Sequence, residues 1–361
     1  LVSPTPESEG FIRGIKWRGR VNASQVREIQ FAQNVAQVFL GINLKCASCH
    51  DSFIDGWTLE DSYGLAAVVS DRPLEIHRCD KPTGRQAKAA FLYPELGTLD
   101  PTLPRKQRLV RVAELLTKKE NGRFARTIVN RIWHRFMGRA IVHPVDVMDN
   151  DAFSPQLLDF LAGHLVDNGY NLKKTIELIV TSRIYQSRTI TLAEAPPAEG
   201  FVFRGPIAKR MTAEQFLDGI WRITGTAPGK TAVKVGDREG EAVRAALVVA
   251  DPLMRSMGRP NRELVVSTRP DDLSTLQALN LSNGRIFAGL LNRGAGNLKK
   301  SHPDWSAMQL TESIFLNAIG REPTETEAVI ALELLGNPIS SQGTTDLLWA
   351  VFMLPEFQMI R

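Results

Sequence analysis

Cysteine is nearly missing from this chain, with three residues in 361. That excludes a disulfide-stapled scaffold, which needs several pairs. Long apolar runs are missing too: the best short one, residues 245–250, falls far below the ~20 residues a membrane-spanning helix needs. The formal charge is only +5, without an arginine-rich arm or an aromatic-basic motif, so no nucleic-acid partner is expected. G-x-S-x-G, Walker A, G-x-G-x-x-G and H-E-x-x-H patterns do not occur, which removes the commonest hydrolase, nucleotide and zinc-protease readings. No repeat of fixed period is found. What remains is an ordinary globular composition, 43% hydrophobic and 23% charged, long enough for two domains with sizeable cores.

Two of the three cysteines lie in Cys46-Ala47-Ser48-Cys49-His50. C-x-x-C-H is the attachment sequence for c-type haem. Two thiols three residues apart can add to the two vinyl groups of one porphyrin, and the adjoining imidazole is then held under the iron. The reading assigns thioethers to Cys46 and Cys49, the proximal iron ligand to His50, and one covalent haem to the chain. Other readings exist. A zinc site would need two more ligands, which His77 and Cys79 could supply. A redox dithiol would want a strand before it and a helix after it, whereas a helical pattern precedes Cys46. Neither explains the histidine directly after the second cysteine. Cys79 otherwise reads as a buried thiol.

The sixth iron ligand would decide the function: methionine raises the reduction potential, a second histidine lowers it, and an open position permits catalysis. His77 is the best local candidate, against the alternative of a surface histidine between Ile76 and Arg78. His134, Met137, His143 and Met148 are remote candidates, and His164 reads as a satisfied histidine at a core edge. The acidic run Asp146, Asp149 and Asp151 lacks the continuation of a calcium loop and reads as a solvated loop. The basic run Arg105, Lys106, Arg108 and Arg111 reads as a solvated face.

The pattern is helical almost throughout. Phe31, Val35, Val38, Phe39 and Ile42 recur at helical spacing behind a capping box at Asn22 and Gln25. A second helix spans 59–69. Residues 70–105 hold five prolines and mark a boundary or linker, which divides the chain into 1–100 and 101–361. Helices then follow through Leu109 to Leu116, stopped at Asn121-Gly122, and through Phe124 to Phe136, stopped at Gly138. The next begin at Ser154-Pro155 and at Asn171, the latter running to Ile184. Further helices span Phe216 to Trp221 behind Thr212 and Gln215, then 273–291, 310–319, 324–335 and 344–352. Short connections between amphipathic helices imply a mainly α protein: a small haem-c module followed by a multi-helix, bundle-like domain.

Several stretches carry a resemblance: Val38-Phe39-Leu40-Gly41 through the cysteine motif to Trp57 and Tyr63-Gly64-Leu65-Ala66, then Val129-Asn130-Arg131-Ile132-Trp133, Pro144-Val145-Asp146, Ser182 to Ser187, Arg210 to Gln215, Leu279 to Gly284 and Arg321-Glu322-Pro323-Thr324. With them the chain resembles the large planctomycete and verrucomicrobial cytochrome family. There a haem-bearing planctomycete cytochrome region precedes a helical domain of uncharacterised function. The resemblance implies that 1–100 is the end of that region and 101–361 the helical domain. It also implies haem, a cell-envelope or periplasmic location, and a chain that is the C-terminal part of a longer member. Family members commonly carry His-Asp-His-Pro after the second cysteine, whereas this chain has His50-Asp51-Ser52-Phe53, so any role of that second histidine is lost. The expected function is electron transfer or redox partnering, with another protein or an upstream segment of the same polypeptide as partner. A haem-dependent oxidoreductase, or a docking subunit stapled by haem, are the other readings.

Overall fold

The computed structural model describes residues 26–190, 200–229, 243–248, 251–260 and 273–360, with residues 5, 8, 10, 11, 15 and 269. The capping box at Asn22 and Gln25 lies outside the described residues. The protein is mainly helical, as its periodicity predicts, and the described residues include two small two-stranded sheets. It forms two compact units, Leu1–Ile207 with Arg262–Thr268, and Ala208–Asn261 with Arg269–Arg361.

In the first unit, α1 (Arg27–Val35) continues through a wider turn at Ala36–Leu40 and stops at Gly41, in the left-handed conformation. The chain then enters the cysteine loop. Helix α2 (Leu59–Ala67) follows behind a reciprocal cap in which Thr58 and Asp61 satisfy each other's backbone N–H groups. The proline-punctuated stretch is packed rather than a free linker. Strands β1 (Glu75–Arg78) and β2 (Lys81–Gln86) pair as an antiparallel hairpin, and Ala89, Phe91, Leu92 and Leu99 are buried. They share a core with α1, α2, Ala47 of the cysteine loop, and Val112, Leu115 and Leu116 of α3 (Arg105–Thr117).

A second core in this unit joins α4 (Gly122–Met137), α5 (Pro155–Asp167) and α6 (Leu172–Val180). Helix α6 ends at Val180, short of Ile184, where the chain breaks into turns. The acidic run is a solvated loop only in part: Asp149 and Asp151 are exposed, but Asp146 is 3% exposed and ion-paired to Arg131. Nor is the basic run merely a solvated face. Arg108 donates to the carbonyls of Val68 and Ser70, free acceptors after α2, and to that of Leu103 just ahead of its own helix.

In the second unit β3 (Lys209–Arg210) leads into α7 (Ala213–Thr224), whose Thr212–Gln215 cap is reciprocal as the sequence predicts. Then come α8 (Pro252–Ser256), α9 (Thr275–Asn283), α10 (Arg285–Ser301), α11 (Ala307–Ile319), α12 (Glu325–Leu335), α13 (Ser341–Met353), α14 (Pro355–Gln358) and β4 (Met359–Ile360), which pairs antiparallel with β3. Helix α13 packs on α10 and α12, and one core unites them with α7. Among the described residues, no helix is long and apolar enough to cross a membrane.

Candidate functional site

The cysteine loop is a run of turns from Leu44 to Cys49. Both the Cys49 and His50 amides donate to the Cys46 carbonyl, at 3.0 and 3.1 Å. This winds the motif into one tight turn, with Cys46 and Cys49 as free, half-buried thiols on it. The turn is pinned from below by its own buried residues. Ser48 donates to the Leu44 carbonyl at 2.7 Å, lies 3.0 Å from the Ser62 hydroxyl, and accepts from Gln33 Nε2 at 2.9 Å. A buried hydroxyl with three partners makes the turn a rigid platform.

His50 projects from the end of this turn. Its Nδ1 lies 2.7 Å from the Asp51 carbonyl. Because a carbonyl can only accept, Nδ1 carries the proton and the ring's lone pair falls on Nε2. Asp51 Oδ1 in turn accepts from the Leu59 amide at 2.9 Å, tying the residue after His50 to the start of α2. Phe53 stacks on the imidazole with centroids 4.5 Å apart. Phe53 and Ile54 are 86% and 81% exposed, an unusual placement for two large apolar side chains beside a titratable ring.

The β1–β2 hairpin docks on the motif. Cys79 occupies the left-handed conformation in its turn, φ 54°, and donates its amide to the Cys49 carbonyl at 2.8 Å. Its thiol is exposed rather than buried, because a hairpin turn points away from the core. His77, two residues earlier, is half-buried, with its side chain 27% exposed. Its Nε2 faces Glu75 at 4.0 Å, and its Nδ1 is buried with no hydrogen-bond partner. Tyr63 is fully buried beneath. Burial pushes its phenol above the ordinary value; the His77 backbone opposes this and the Cys49 thiol adds to it. The structure thus brings His77, Cys79 and Tyr63 to the loop bearing Cys46, Cys49 and His50. Among the described residues, no three His, Cys, Asp or Glu side chains converge as a metal site, so Cys46, Cys49, His77 and Cys79 are not gathered as a zinc cluster.

The remote candidates lie elsewhere. Met137 and Met148 are buried in the core of α4–α6, and Met148 Sδ accepts from Asn130 at 3.3 Å. His134 sits in the last turn of α4. His164 lies on α5, and its buried Nδ1 has no hydrogen-bond partner, so it is not the satisfied histidine its position suggests.

Sequence reasoning missed the residues that hold the loop in place. From α4, Arg131 donates to the Gln37 and Val38 carbonyls and to Asp146 Oδ1 at 2.7 Å. Arg123 donates to the Leu40 carbonyl at 2.9 Å, to the Met148 carbonyl at 2.8 Å, and to Asp149. The other oxygen of Asp149 accepts from Trp57 Nε1 at 3.1 Å. The signal in the sequence was the placement of two arginines eight residues apart on one helix, a spacing that puts both on one face, but nothing local says what that face meets.

The geometry is that of a mainly helical protein built around a loop with two thiols and one tautomer-fixed imidazole. Residues 108–335 match the PSD1 family, described as a protein of unknown function (DUF1553). The chain belongs to that family. Residues 4–73 match a second family, PSCyt2, also described as a protein of unknown function (DUF1549). Both are domains of planctomycete cytochrome-type proteins. The family matches break between residues 73 and 108, whereas compactness breaks at Ile207. No curated protein and no solved structure matches the chain.

Proposed function

We propose that Cys46 and Cys49 hold one c-type haem through thioethers, with His50 as the proximal iron ligand, and that the protein transfers electrons outside the cytoplasmic membrane. The observation that carries this reading is the His50 Nδ1 bond to the Asp51 carbonyl. A metal-binding histidine characteristically donates its second ring nitrogen to a carbonyl or carboxylate, which fixes tautomer and orientation. The thiols are free and arrayed on one turn, and Phe53 and Ile54 offer exposed apolar surface beside His50 that a porphyrin face would cover. These residues fit the group. When bound, the haem supplies a one-electron couple. The chain's own part is to orient the imidazole, to hold the two sulfurs on a rigid turn, and to shield them with the hairpin.

His77 is the candidate for the sixth ligand, supported by its buried, unpartnered Nδ1 and by the docking of its hairpin's turn, at Cys79, on Cys49. Covalent haem suits the cell envelope, where haem c is attached and thiols need not be kept reduced. The redox partner there is a second protein or an upstream segment of the same polypeptide.

A pyridine haemochrome spectrum tests the reading. The chain matured in a host that attaches haem c is expected to show a c-type band, lost in Cys46→Ser and Cys49→Ser. No such band in the parent chain, or one untouched by both substitutions, rejects it. His77→Ala is expected to abolish the low-spin spectrum; an unchanged spectrum and potential removes His77 from the ligand set.

A further inference from the structure

The helix that delivers the cysteine loop ends with carbonyls that have no intrahelical partner. Four of these, on Gln37, Val38, Leu40 and Gly41, are taken up by the segment after residue 108: two by Arg131, one by Arg123, and one by the Met148 amide at 3.2 Å. Each guanidinium is matched by a carboxylate at its other edge, Asp146 for Arg131 and Asp149 for Arg123. The planar fork of arginine suits this task, because it can meet two carbonyls and a carboxylate in one plane. Asp149 has a further role: its second oxygen accepts from Trp57, on the far side of the motif. A single carboxylate therefore joins the upstream end of the loop, through Arg123 and Leu40, to its downstream end at Trp57. Asn130 fixes the segment after α4, with Nδ2 donating to the Val142 and Val145 carbonyls and Oδ1 accepting from the Val142 amide, all at 2.9 Å.

We propose that Arg123, Arg131 and Asp149 are positioning residues for Cys46–His50, gripping the loop at both ends so that α4 and the 142–149 segment set the orientation of the His50 imidazole and thereby the reduction potential of the centre. The effect on potential rests on the haem reading above; the grip on the loop does not. Loosening either end admits water beside the iron and favours its oxidised, more highly charged state, which lowers the potential.

The test uses the full chain with its haem and two substitutions chosen to be mild. Trp57→Phe removes only the indole N–H that reaches Asp149 and keeps an aromatic ring against Tyr93. Arg131→Lys keeps the charge and loses the fork. Both are expected to retain the parent haem content by pyridine haemochrome, with a lowered midpoint potential and shifted low-spin electron paramagnetic resonance g values. A merely structural role would change thermal stability and leave these two quantities at the parent values, and that result overturns the proposal. Should Arg131→Lys fail to fold, Trp57→Phe carries the test alone. If the parent chain shows no haemochrome, the haem reading falls by itself. The grip is then read by alkylation of Cys46 and Cys49 with iodoacetamide, which is expected to be several-fold faster in Trp57→Phe. Equal rates overturn the proposal in that case as well.

Discussion

Asp146 and Asp149 stand three residues apart in one acidic run, yet their surroundings divide them. Asp146 is buried against Arg131 with one oxygen left unpartnered, and burial raises its carboxyl above the ordinary value against the pull of Arg131. Asp149 is half-exposed and bridges Arg123 to Trp57. Nothing in the run of letters separates these two roles, because each depends on an arginine more than a dozen residues away in the chain. Gly41 is the opposite case. It sits at φ 63°, and a Cβ there would lie 2.4 Å from Met148 Cγ, so both its conformation and its missing side chain are required. Gly41→Ala is expected to cost roughly 2–4 kcal/mol, the sum of the left-handed penalty and an overpacked contact. Denaturant unfolding measures this, and a double-mutant cycle with Met148→Ala should return a favourable coupling. A loss below about 0.5 kcal/mol would show that the close approach to Met148 is not maintained in solution.

At the scale of elements, helix existence was legible and helix ends were not always. The apolar periods of α1 to α7 are strong local signals, and the caps at Ser154, Asn171, Thr212 and Thr324 hold as the sequence suggests. Residues 273–291 read as one helix because their apolar period continues, yet the chain breaks into α9 and α10 at Gly284. Its extended backbone there is what periodicity cannot see. Asn121 reads as a stop signal and is more than that. Its Oδ1 caps α4 at the Phe124 amide, while its Nδ2 donates to the Leu115 and Leu116 carbonyls at the end of α3, at 3.0 and 3.1 Å. One buried amide thus serves two helix ends. Asn121→Ala is expected to destabilise the chain by roughly 1–3 kcal/mol, from a lost cap and two carbonyls left without a donor. Asn121→Asp keeps the cap acceptor but sets a carboxylate against two carbonyls. Thermal unfolding should therefore show it no more stable than Asn121→Ala, and a recovery to the parent midpoint would exclude the donor role.

For the whole molecule, charge is distributed unevenly between the two units. The second unit holds carboxylates whose acidity depends on folding. Glu214 is half-buried, which alone would raise its carboxyl, but hydrogen bonds and charge from Arg269 and Arg259 bring it below the ordinary value. Glu327 is held at about 2, chiefly by its hydrogen bonds to Arg321. A carboxyl whose folded value is depressed contributes stability that is complete above its unfolded value near 4.5 and lost as pH falls through the folded one. The parent chain is therefore expected to lose stability between about pH 5 and pH 2. Glu327→Gln should be less stable than the parent at neutral pH and should lose less over that interval. Denaturation followed by circular dichroism across the range checks this, and parallel pH profiles for the two chains would reject the assignment.

By itself the sequence determined the mainly helical class, most of the caps, and a five-residue loop whose two thiols and imidazole fall within one turn. These are short-range facts, set by side-chain period, by the few residues able to cap a helix, and by covalent spacing. Tertiary structure alone decided that the proline-rich stretch folds as a hairpin against the Cys49 carbonyl, and that Arg123 and Arg131 on α4 and Asp149 after it grip the loop from some eighty to ninety residues away. Those outcomes depend on backbone carbonyls left over at helix ends, and which partner satisfies a leftover carbonyl is settled only when the elements pack.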